Sequence, residues 1–202
     1  MIRAFLAVEL GEDLRTHIAQ VQRELKQRFG RQTSKDVRIS WVQPANLHLT
    51  MKFLGDIAED TIVPMQASIA QAVRGHPSFP IPLERLGAFP SPQQPRVIWV
   101  GTSKEWAHGK DGQQLSSLHR MVEHCCQQLG FASDDRSLSA HLTVARVKGG
   151  ERQVGRALAE SGVFDQPLAV GSLLPTAIAL MKSELSPGGS VYTKLWEAEL
   201  RG

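Results

Sequence analysis

The chain has 202 residues, 42% of them hydrophobic, and carries 23 Lys and Arg residues against 20 Asp and Glu residues. A chain of this length and composition can bury a substantial core as one domain or two closely associated lobes, and no apolar run approaches the roughly 20 residues that span a bilayer. The formal net charge of +3 does not identify a nucleic-acid-binding surface by itself, although a pI of about 9.1 is compatible with phosphate binding.

Hydrophobic periodicity divides the chain into two similar halves of strands and helices. In the first half the pattern predicts strands at 2–9, 38–43 and 47–54 and helices at 12–28 and 59–74. In the second half it predicts strands at 80–89, 96–101, 168–182 and 190–199, a strand containing His141, and helices at 112–129 and 151–160. The proline-rich segment 90–95 is predicted to be a loop. Short turns between many strands predict an α+β fold with antiparallel sheets and helices on their outer faces.

The pattern His-Leu-Thr occurs twice, as His48-Leu49-Thr50-Met51 and as His141-Leu142-Thr143-Val144. Successive side chains of a strand alternate between its faces, so each unit places its His and Thr together and its apolar residues on the other face. The same alternation continues on both sides of each unit. Both histidines are therefore predicted to project from apolar-backed strands.

Two imidazoles that face one cleft suit acid–base chemistry at phosphorus. An unperturbed His has a pKa of about 6.5, so near neutral pH one can be a neutral base while the other is a charged acid. One can activate water and the other protonate the departing oxygen, each transfer contributing about 10²- to 10⁴-fold, and neither step requires a metal. Thr hydroxyls can donate hydrogen bonds to phosphate oxygens. A single strand histidine is more often a partly buried polar residue, so the hypothesis depends on the repetition.

These motifs resemble those of the 2H phosphoesterase superfamily, specifically the bacterial and archaeal RNA 2′,3′-cyclic phosphodiesterases, also called the 2′-5′ RNA ligase family. The segments that carry the resemblance are 2–8 (IRAFLAV), 41–42 (WV), 46–56 (NLHLTMKFLGD), 96–101 (RVIWVG), 141–146 (HLTVAR) and 190–195 (SVYTKL). The resemblance implies a bilobal, pseudo-symmetric fold in which two antiparallel sheets with outer helices surround a central cleft. We expect residues 1–202 to form a single domain of two intertwined lobes.

The resemblance also implies an enzyme, an RNA 2′,3′-cyclic 3′-phosphodiesterase that forms 2′-phosphomonoesters without a cofactor or metal. It implies that His48 is the proton donor and His141 the proton acceptor. It assigns phosphate binding to Thr50, Thr143 and Arg146. The arginine can bind two phosphate oxygens at once. The expected partners are RNA with 2′,3′-cyclic phosphate ends, including tRNA fragments, or cyclic nucleotides, and neither a membrane nor a protein partner is implied.

Two other functions stay open. One is a 2′-5′ RNA ligase, which joins a 2′,3′-cyclic phosphate end to a 5′-hydroxyl end by the reverse of 2′-5′ bond cleavage. The other is a noncatalytic RNA-end-binding module, which would bind the RNA tightly without turnover.

The resemblance assigns base or sugar contact to Phe53, but strand geometry opposes this assignment. Phe53 follows His48 by five residues, and Arg146 follows His141 by five, so regular alternation places both on the face opposite the histidines. Their assigned roles therefore require a β-bulge or a bend in each strand. Lys52 shares the parity of His48 and can place positive charge at the cleft edge, although a solvated strand-end lysine is the simpler interpretation.

Other polar and aromatic residues give weaker signals. His119 and Glu123 lie one helical turn apart with His124 beside them, a spacing compatible with metal ligation. Exposed helical polar residues explain this spacing better than a metal site. Trp41 and Trp99 are expected to pack in the core with their indole groups on polar partners.

Several absent patterns narrow the chemistry and location. There is no Gly-x-x-x-x-Gly-Lys-Ser/Thr motif, so 109–112 (GKDG) is predicted to be a turn and not an ATP-binding loop, and no Gly-x-Ser-x-Gly motif indicates an α/β-hydrolase. Cys125 and Cys126 are adjacent, so they cannot join distant segments and are expected to be reduced thiols on a helix. The first residues lack the pattern of a signal peptide, so we expect a cytoplasmic protein.

Overall fold

The computed structural model describes residues 1–32, 36–134, 138–187 and 189–200. Its strands in chain order are β1 (Ile2–Glu9), β2 (Arg38–Trp41), β3 (His48–Ile57), β4 (Ile81–Pro82), β5 (Arg85–Phe89), β6 (Val97–Gly101), β7 (His141–Gly149), β8 (Ser172–Leu173), β9 (Ala177–Ser186) and β10 (Gly189–Glu199). Its α-helices are α1 (Glu12–Gln32), α2 (Ile62–Val73), α3 (Lys104–His108), α4 (Lys110–Gln128) and α5 (Glu151–Ser161). Short 3-10 turns lie at Pro44–Asn46 and Glu59–Thr61.

The two His-x-Thr units lie in different antiparallel sheets. The first sheet has the strand order β10-β9-β1-β3, and the second has the order β2-β7-β6-β5. The first unit begins β3, at the edge of its sheet, and the second begins β7, between β2 and β6. The apolar residues that alternate with the polar ones are buried, as in Leu49 and Leu142, which are 1% and 0% exposed. The predicted α+β fold with antiparallel sheets is therefore confirmed.

Helices α1 and α4 cross from one sheet to the other along the chain. α2 and α4 pack against each other and contact β10 and β3, whereas α1 and α5 pack against each other and α5 contacts β7. α1 thus follows a strand of the first sheet but covers the second, and α4 follows a strand of the second sheet but covers the first. One continuous hydrophobic cluster joins both sheets to these helices. Because these helices cover one face of each sheet, the opposite faces of the sheets border the cleft.

The predicted elements agree with the structure apart from local differences, which include the short helix α3 that the sequence did not predict. The predicted turn at 109–112 is wrong, because the chain enters α4 at Lys110, directly after α3. A Cβ at Gly112 would collide with the carbonyl oxygen of Ala107, so glycine permits the close packing of these two helices. The predicted strands 80–89 and 168–182 are each interrupted. In these segments, the main-chain nitrogens of Leu83 and Leu168 donate to the carbonyl oxygens of Gly171 and Glu84, respectively, which lie outside the strands.

The remaining structural expectations concern the proline-rich loop and the cysteines. Residues 90–95 form the predicted loop between β5 and β6. Cys125 and Cys126 are free and buried on α4, as expected, and burial raises the pKa of Cys126 to about 12. Among the helices of the described ranges, none combines the length and apolar character needed to cross a membrane.

Candidate functional site

The strand that carries the first His-x-Thr unit contains a β-bulge. Opposite β1, Thr50 pairs with Ala7 and Lys52 pairs with Leu6, so Met51 has no partner of its own. The extra residue reverses the alternation for the side chains that follow it. Met51 and Lys52 are consequently both buried, although they are neighbours in the strand.

Because of this bulge, Phe53 lies on the same face as His48. Its ring is 6.2 Å from that of Phe5, which in turn lies 4.6 Å from the imidazole of His48. Phe53 is 70% exposed, so most of its ring is open to a ligand. Lys52 lies on the opposite face, and its ammonium bonds to the carboxylate of Glu123 at 2.7 Å. The expectation of a solvated or cleft-edge lysine is therefore wrong.

The second His-x-Thr strand contains a bulge at the corresponding position. Opposite β6, Thr143 pairs with Trp99 and Ala145 pairs with Ile98, which leaves Val144 as the extra residue. In both strands the extra residue follows the histidine by three positions. The roles assigned to Phe53 and Arg146 require a bend in each strand. Both strands contain one.

Arg146 follows the second bulge and is exposed. Its positive charge lowers the pKa of His141 and also that of His48, although His48 belongs to the other sheet. The positive form of His141 likewise lowers the pKa of His48. The structure thus brings these three groups within electrostatic range of one another. Thr50 and Thr143 are half-buried, each two residues after its histidine.

The two catalytic candidates, His48 and His141, each make the same kind of hydrogen bond to the main chain. Nδ1 of His48 lies 2.8 Å from the carbonyl oxygen of Asn46, and Nδ1 of His141 lies 2.8 Å from that of Ser139. A carbonyl only accepts, so each Nδ1 carries a hydrogen and donates it. In the neutral imidazole Nε2 then holds the lone pair, which leaves it free to accept a proton.

Burial is the main cause that lowers the pKa of both histidines. For His48 the charges of Arg146 and His141 lower it further, while the Asn46 carbonyl and the Glu9 carboxylate oppose the shift. For His141 the charge of Arg146 also lowers the pKa, while the hydrogen bond to the Ser139 carbonyl raises it. These shifts favour the neutral form of both imidazoles near pH 7. An anion that neutralises Arg146 would raise both pKa values.

Aromatic rings that the sequence did not identify flank the histidines. The ring of Tyr192 meets the imidazole of His48 edge-on at 5.3 Å, on the side next to Phe5. The ring of Phe89 meets His141 edge-on at 5.1 Å. The strand alternation of β1 offered a signal for Phe5, but nothing local indicated that Phe89 and Tyr192 approach the histidines.

The two tryptophans that were expected in the core, Trp41 and Trp99, lie in different surroundings. Trp41 is partly buried against the core as expected, with its ring 6.1 Å from that of Phe29. Trp99 instead lies on the cleft side, 6.1 Å from His141, and its Nε1 has no hydrogen-bond partner among the described residues. Its ring lies across Gly87, where any Cβ would collide with the indole.

The prediction that His119 and Glu123 are exposed is wrong. They are 9% and 7% exposed, face β3, and lie 3.7 Å apart between Nε2 and Oε1. His124 is exposed and bonds to Gln128. Within the described ranges, no group of three or more His, Cys, Asp or Glu side chains is arranged to hold a metal ion.

Comparisons with known proteins agree with this architecture. A family model described as LigT-like phosphoesterase matches residues 8–99. The RNA 2′,3′-cyclic phosphodiesterase of Methanothermobacter thermautotrophicus is 35% identical over 194 residues, which cover 96% of each chain. A crystal structure from Thermus thermophilus has a TM-score of 0.69 and 27% identity, covering 99% of this chain and 98% of that one. Escherichia coli LigT complexed with 3′-AMP shares the fold, with a TM-score of 0.71, 23% identity and 98% coverage of both chains. Together with the two sheets that each carry a His-x-Thr strand, these matches show that the chain is an enzyme of the LigT-like phosphoesterase family, the 2H phosphoesterases.

Proposed function

We propose that this enzyme hydrolyses 2′,3′-cyclic phosphodiesters of RNA ends or nucleotides to 2′-phosphomonoesters by a metal-independent mechanism with two histidines. The observation that carries the proposal is the matched hydrogen bonding of His48 and His141, which commits each Nδ1 to a carbonyl and leaves each Nε2 for the ligand. The name of the Methanothermobacter relative supports the substrate class. Because RNA ends are the proposed substrates, we also propose a cytoplasmic location.

In the proposed reaction, two proton transfers accompany the attack of water on phosphorus. Neutral His141 accepts a proton from the water as its oxygen bonds to phosphorus. The bond from phosphorus to O3′ breaks, and O3′ takes a proton from the positive form of His48, which leaves a 2′-phosphate. Exchange with solvent then returns both imidazoles to their starting states. Each transfer contributes about 10²- to 10⁴-fold to the rate.

The position of Glu9 supports His48 as the proton donor. Glu9 lies directly opposite His48 in the pairing of β1 with β3, and its negative charge raises the pKa of that imidazole. Among the described residues, burial, the Ser139 carbonyl and Arg146 shift the pKa of His141, and no carboxylate acts on it in the same way. The substrate anion neutralises Arg146, which raises the pKa of both imidazoles, and the charge of Glu9 additionally favours a proton on His48.

The other proposed contacts hold the phosphate and the nucleoside. Arg146 and the hydroxyls of Thr50 and Thr143 donate to non-bridging oxygens, whose negative charge increases as phosphorus becomes five-coordinate. Phe53 offers its exposed face to the base, and stacking of this kind contributes about 1–3 kcal/mol per base.

Turnover of a short RNA with a 2′,3′-cyclic phosphate end, measured in excess EDTA, tests the proposal. The wild-type protein is expected to form the 2′-phosphate, and His48→Ala and His141→Ala are each expected to lose about 10²- to 10⁴-fold in rate. His108→Ala, an exposed histidine on α3, is the matched control and should keep full activity. Loss of wild-type turnover in EDTA, or a 3′-phosphate product, contradicts the proposal.

A second candidate function is 2′-5′ RNA ligation, favoured by the aromatic residues at His141. Phe89 and Trp99 flank this imidazole, while Phe5 and Tyr192 flank His48. Aromatic rings thus lie on both sides of the proposed phosphate position, and a 2′-5′ junction places a nucleoside on each side. Adding an RNA fragment with a 5′-hydroxyl would then yield a 2′-5′ linked product. Tight binding of the cyclic end without any product would instead favour an end-binding module.

A further inference from the structure

We propose that Glu123, acting through Lys52, and Gln22 are positioning residues that hold the bulges of the two His-x-Thr strands and so keep Phe53 and Arg146 on the cleft face. The proposal rests on the proposed function only for what Phe53 and Arg146 contact there. The placement of these two side chains is a matter of strand geometry, which can be measured without any substrate.

The first bulge is held by an ion pair that exists only because the bulge is present. Nζ of Lys52 lies 2.9 and 2.7 Å from the two carboxylate oxygens of Glu123 and 2.9 Å from the carbonyl oxygen of Ala132. In a regular strand Lys52 would share the face of His48 and Thr50. The side chain of Lys52 is only 4% exposed, so removal of Glu123 leaves an ammonium that is driven toward water.

Further contacts connect the same carboxylate to the surrounding chain. The main-chain nitrogen of Asp134 donates to Oε2 of Glu123 at 3.4 Å, and Nε2 of His119 lies 3.7 Å from Oε1. A hydrogen bond between His119 and the main chain of Met51 is among the influences on the pKa of that imidazole. α4 therefore contacts the bulge both at the extra residue and at the lysine that follows it.

The second bulge is held by one buried amide from α1. Gln22 is 3% exposed, and its Nε2 donates to the carbonyl oxygens of Val42 and Val144, at 2.8 Å in each case. Val144 is the extra residue of β7, and its carbonyl also accepts from the main-chain nitrogen of Val42 at 3.1 Å. The amide thus fixes the carbonyl direction of the bulge from the helix side of the sheet.

The two supports come from the two helices that cross between the sheets. α1 supplies an uncharged amide to β7, and α4 supplies a carboxylate to β3. In each case the partner is distant in sequence, by 122 and 71 residues respectively. Because the chemistry of the two supports differs, each can be removed and restored separately.

Thiol labelling at position 53 tests the first support. The native Cys125 and Cys126 are 5% and 0% exposed, so a soluble disulfide reagent should label the folded protein slowly unless Phe53→Cys is introduced. Adding Glu123→Met is expected to slow labelling at position 53 at least tenfold, because Lys52 turns to the cleft and residue 53 turns inward. Adding Lys52→Met as well is expected to restore fast labelling, because an uncharged residue 52 stays in the core.

Labelling at position 146 tests the second support in the same way. Arg146→Cys is expected to be labelled quickly, and adding Gln22→Met should slow that labelling at least tenfold. Gln20→Met is the matched control, because Gln20 is exposed on the same helix, and it should leave the rate unchanged. Every variant must give the circular dichroism spectrum of the wild-type protein. Glu123→Gln replaces Glu123→Met if the latter fails to fold.

Unchanged labelling in the Glu123 and Gln22 variants overturns the proposal. A kinetic cycle then separates it from the proposed function. Glu123→Met and Phe53→Ala should each raise KM for a nucleoside 2′,3′-cyclic phosphate relative to ribose 2′,3′-cyclic phosphate, and their effects should not add. If Phe53→Ala leaves this ratio unchanged while the labelling results hold, the base contact is wrong and the positioning role stands.

Discussion

Replacing Glu9 with glutamine is expected to move the alkaline limb of the pH–rate profile to lower pH. In the proposed reaction His48 must carry a proton, so activity falls as the pH rises through its pKa. Glu9 lies opposite His48 and its charge raises that pKa. Without this charge the imidazole loses its proton at lower pH, so the limb shifts in the acid direction.

The size of the shift follows from the strand geometry. Residues directly opposite in antiparallel strands have Cβ atoms about 4.5–5.5 Å apart, which places the charges about 6 Å apart. Unit charges at this distance interact by about 0.7 kcal/mol in water and more strongly where solvent is excluded. The Glu9 side chain is 33% exposed and pairs with Lys194 at 2.8 Å, so solvent and the lysine weaken its effect on His48, and we expect a small shift to lower pH.

The assay is the pH dependence of kcat/KM for a nucleoside 2′,3′-cyclic phosphate at constant ionic strength. Glu197→Gln is the matched control, because Glu197 also pairs with Lys194, at 2.7 Å, but does not lie opposite His48. It should leave the alkaline limb in place. An equal shift in both variants, or a shift of the acid limb in Glu9→Gln, would refute the assignment of His48 as the donor influenced by Glu9.

Three further predictions concern packing and cooperativity. Gly87→Ala is expected to lower the free energy of unfolding, measured in urea, by about 1–3 kcal/mol and to lower activity, because the new Cβ displaces Trp99. Gly11→Ala is the control and should change little, because its Cβ meets no atom within 4 Å. Leu142→Ala should cost about 2–5 kcal/mol of unfolding free energy, whereas Leu185→Ala, at a residue 86% exposed, should cost less than about 0.5. We propose that both lobes unfold together, so urea transitions followed by tryptophan fluorescence and circular dichroism should coincide, and separated midpoints would contradict this.

The orientation of the His-x-Thr side chains was predictable because it depends on local alternation. A strand has a period of two, and the apolar neighbours Leu49 and Leu142 identify the buried face without knowledge of the rest of the fold. The same alternation placed Phe53 and Arg146 on the opposite face, so the roles that the family resemblance assigns to them required a bend in each strand. The position of the bend within each strand was not predictable in this way.

The bulges depend on partners that are distant in sequence. Lys52 turns inward because Glu123 lies 71 residues later in the chain, and the local pattern alone places this lysine on the cleft face. Glu123 and His119 lie on the buried side of α4, although polar helix residues are usually exposed. Trp99 reaches the cleft because a glycine on the neighbouring strand leaves room for its ring, a pairing that only the sheet order reveals.

The strand order of the first sheet also determines when that sheet can form during synthesis. β1 is made early and pairs with β3 on one side, but its other neighbour is β9, which begins at Ala177. Until that strand leaves the ribosome, one edge of β1 keeps unpaired main-chain groups that can pair with a wrong strand. Pairing across so long a stretch of chain is slow. We therefore expect His48 to reach its final surroundings only late in translation, and nascent chains that stall before residue 177 to depend on chaperones.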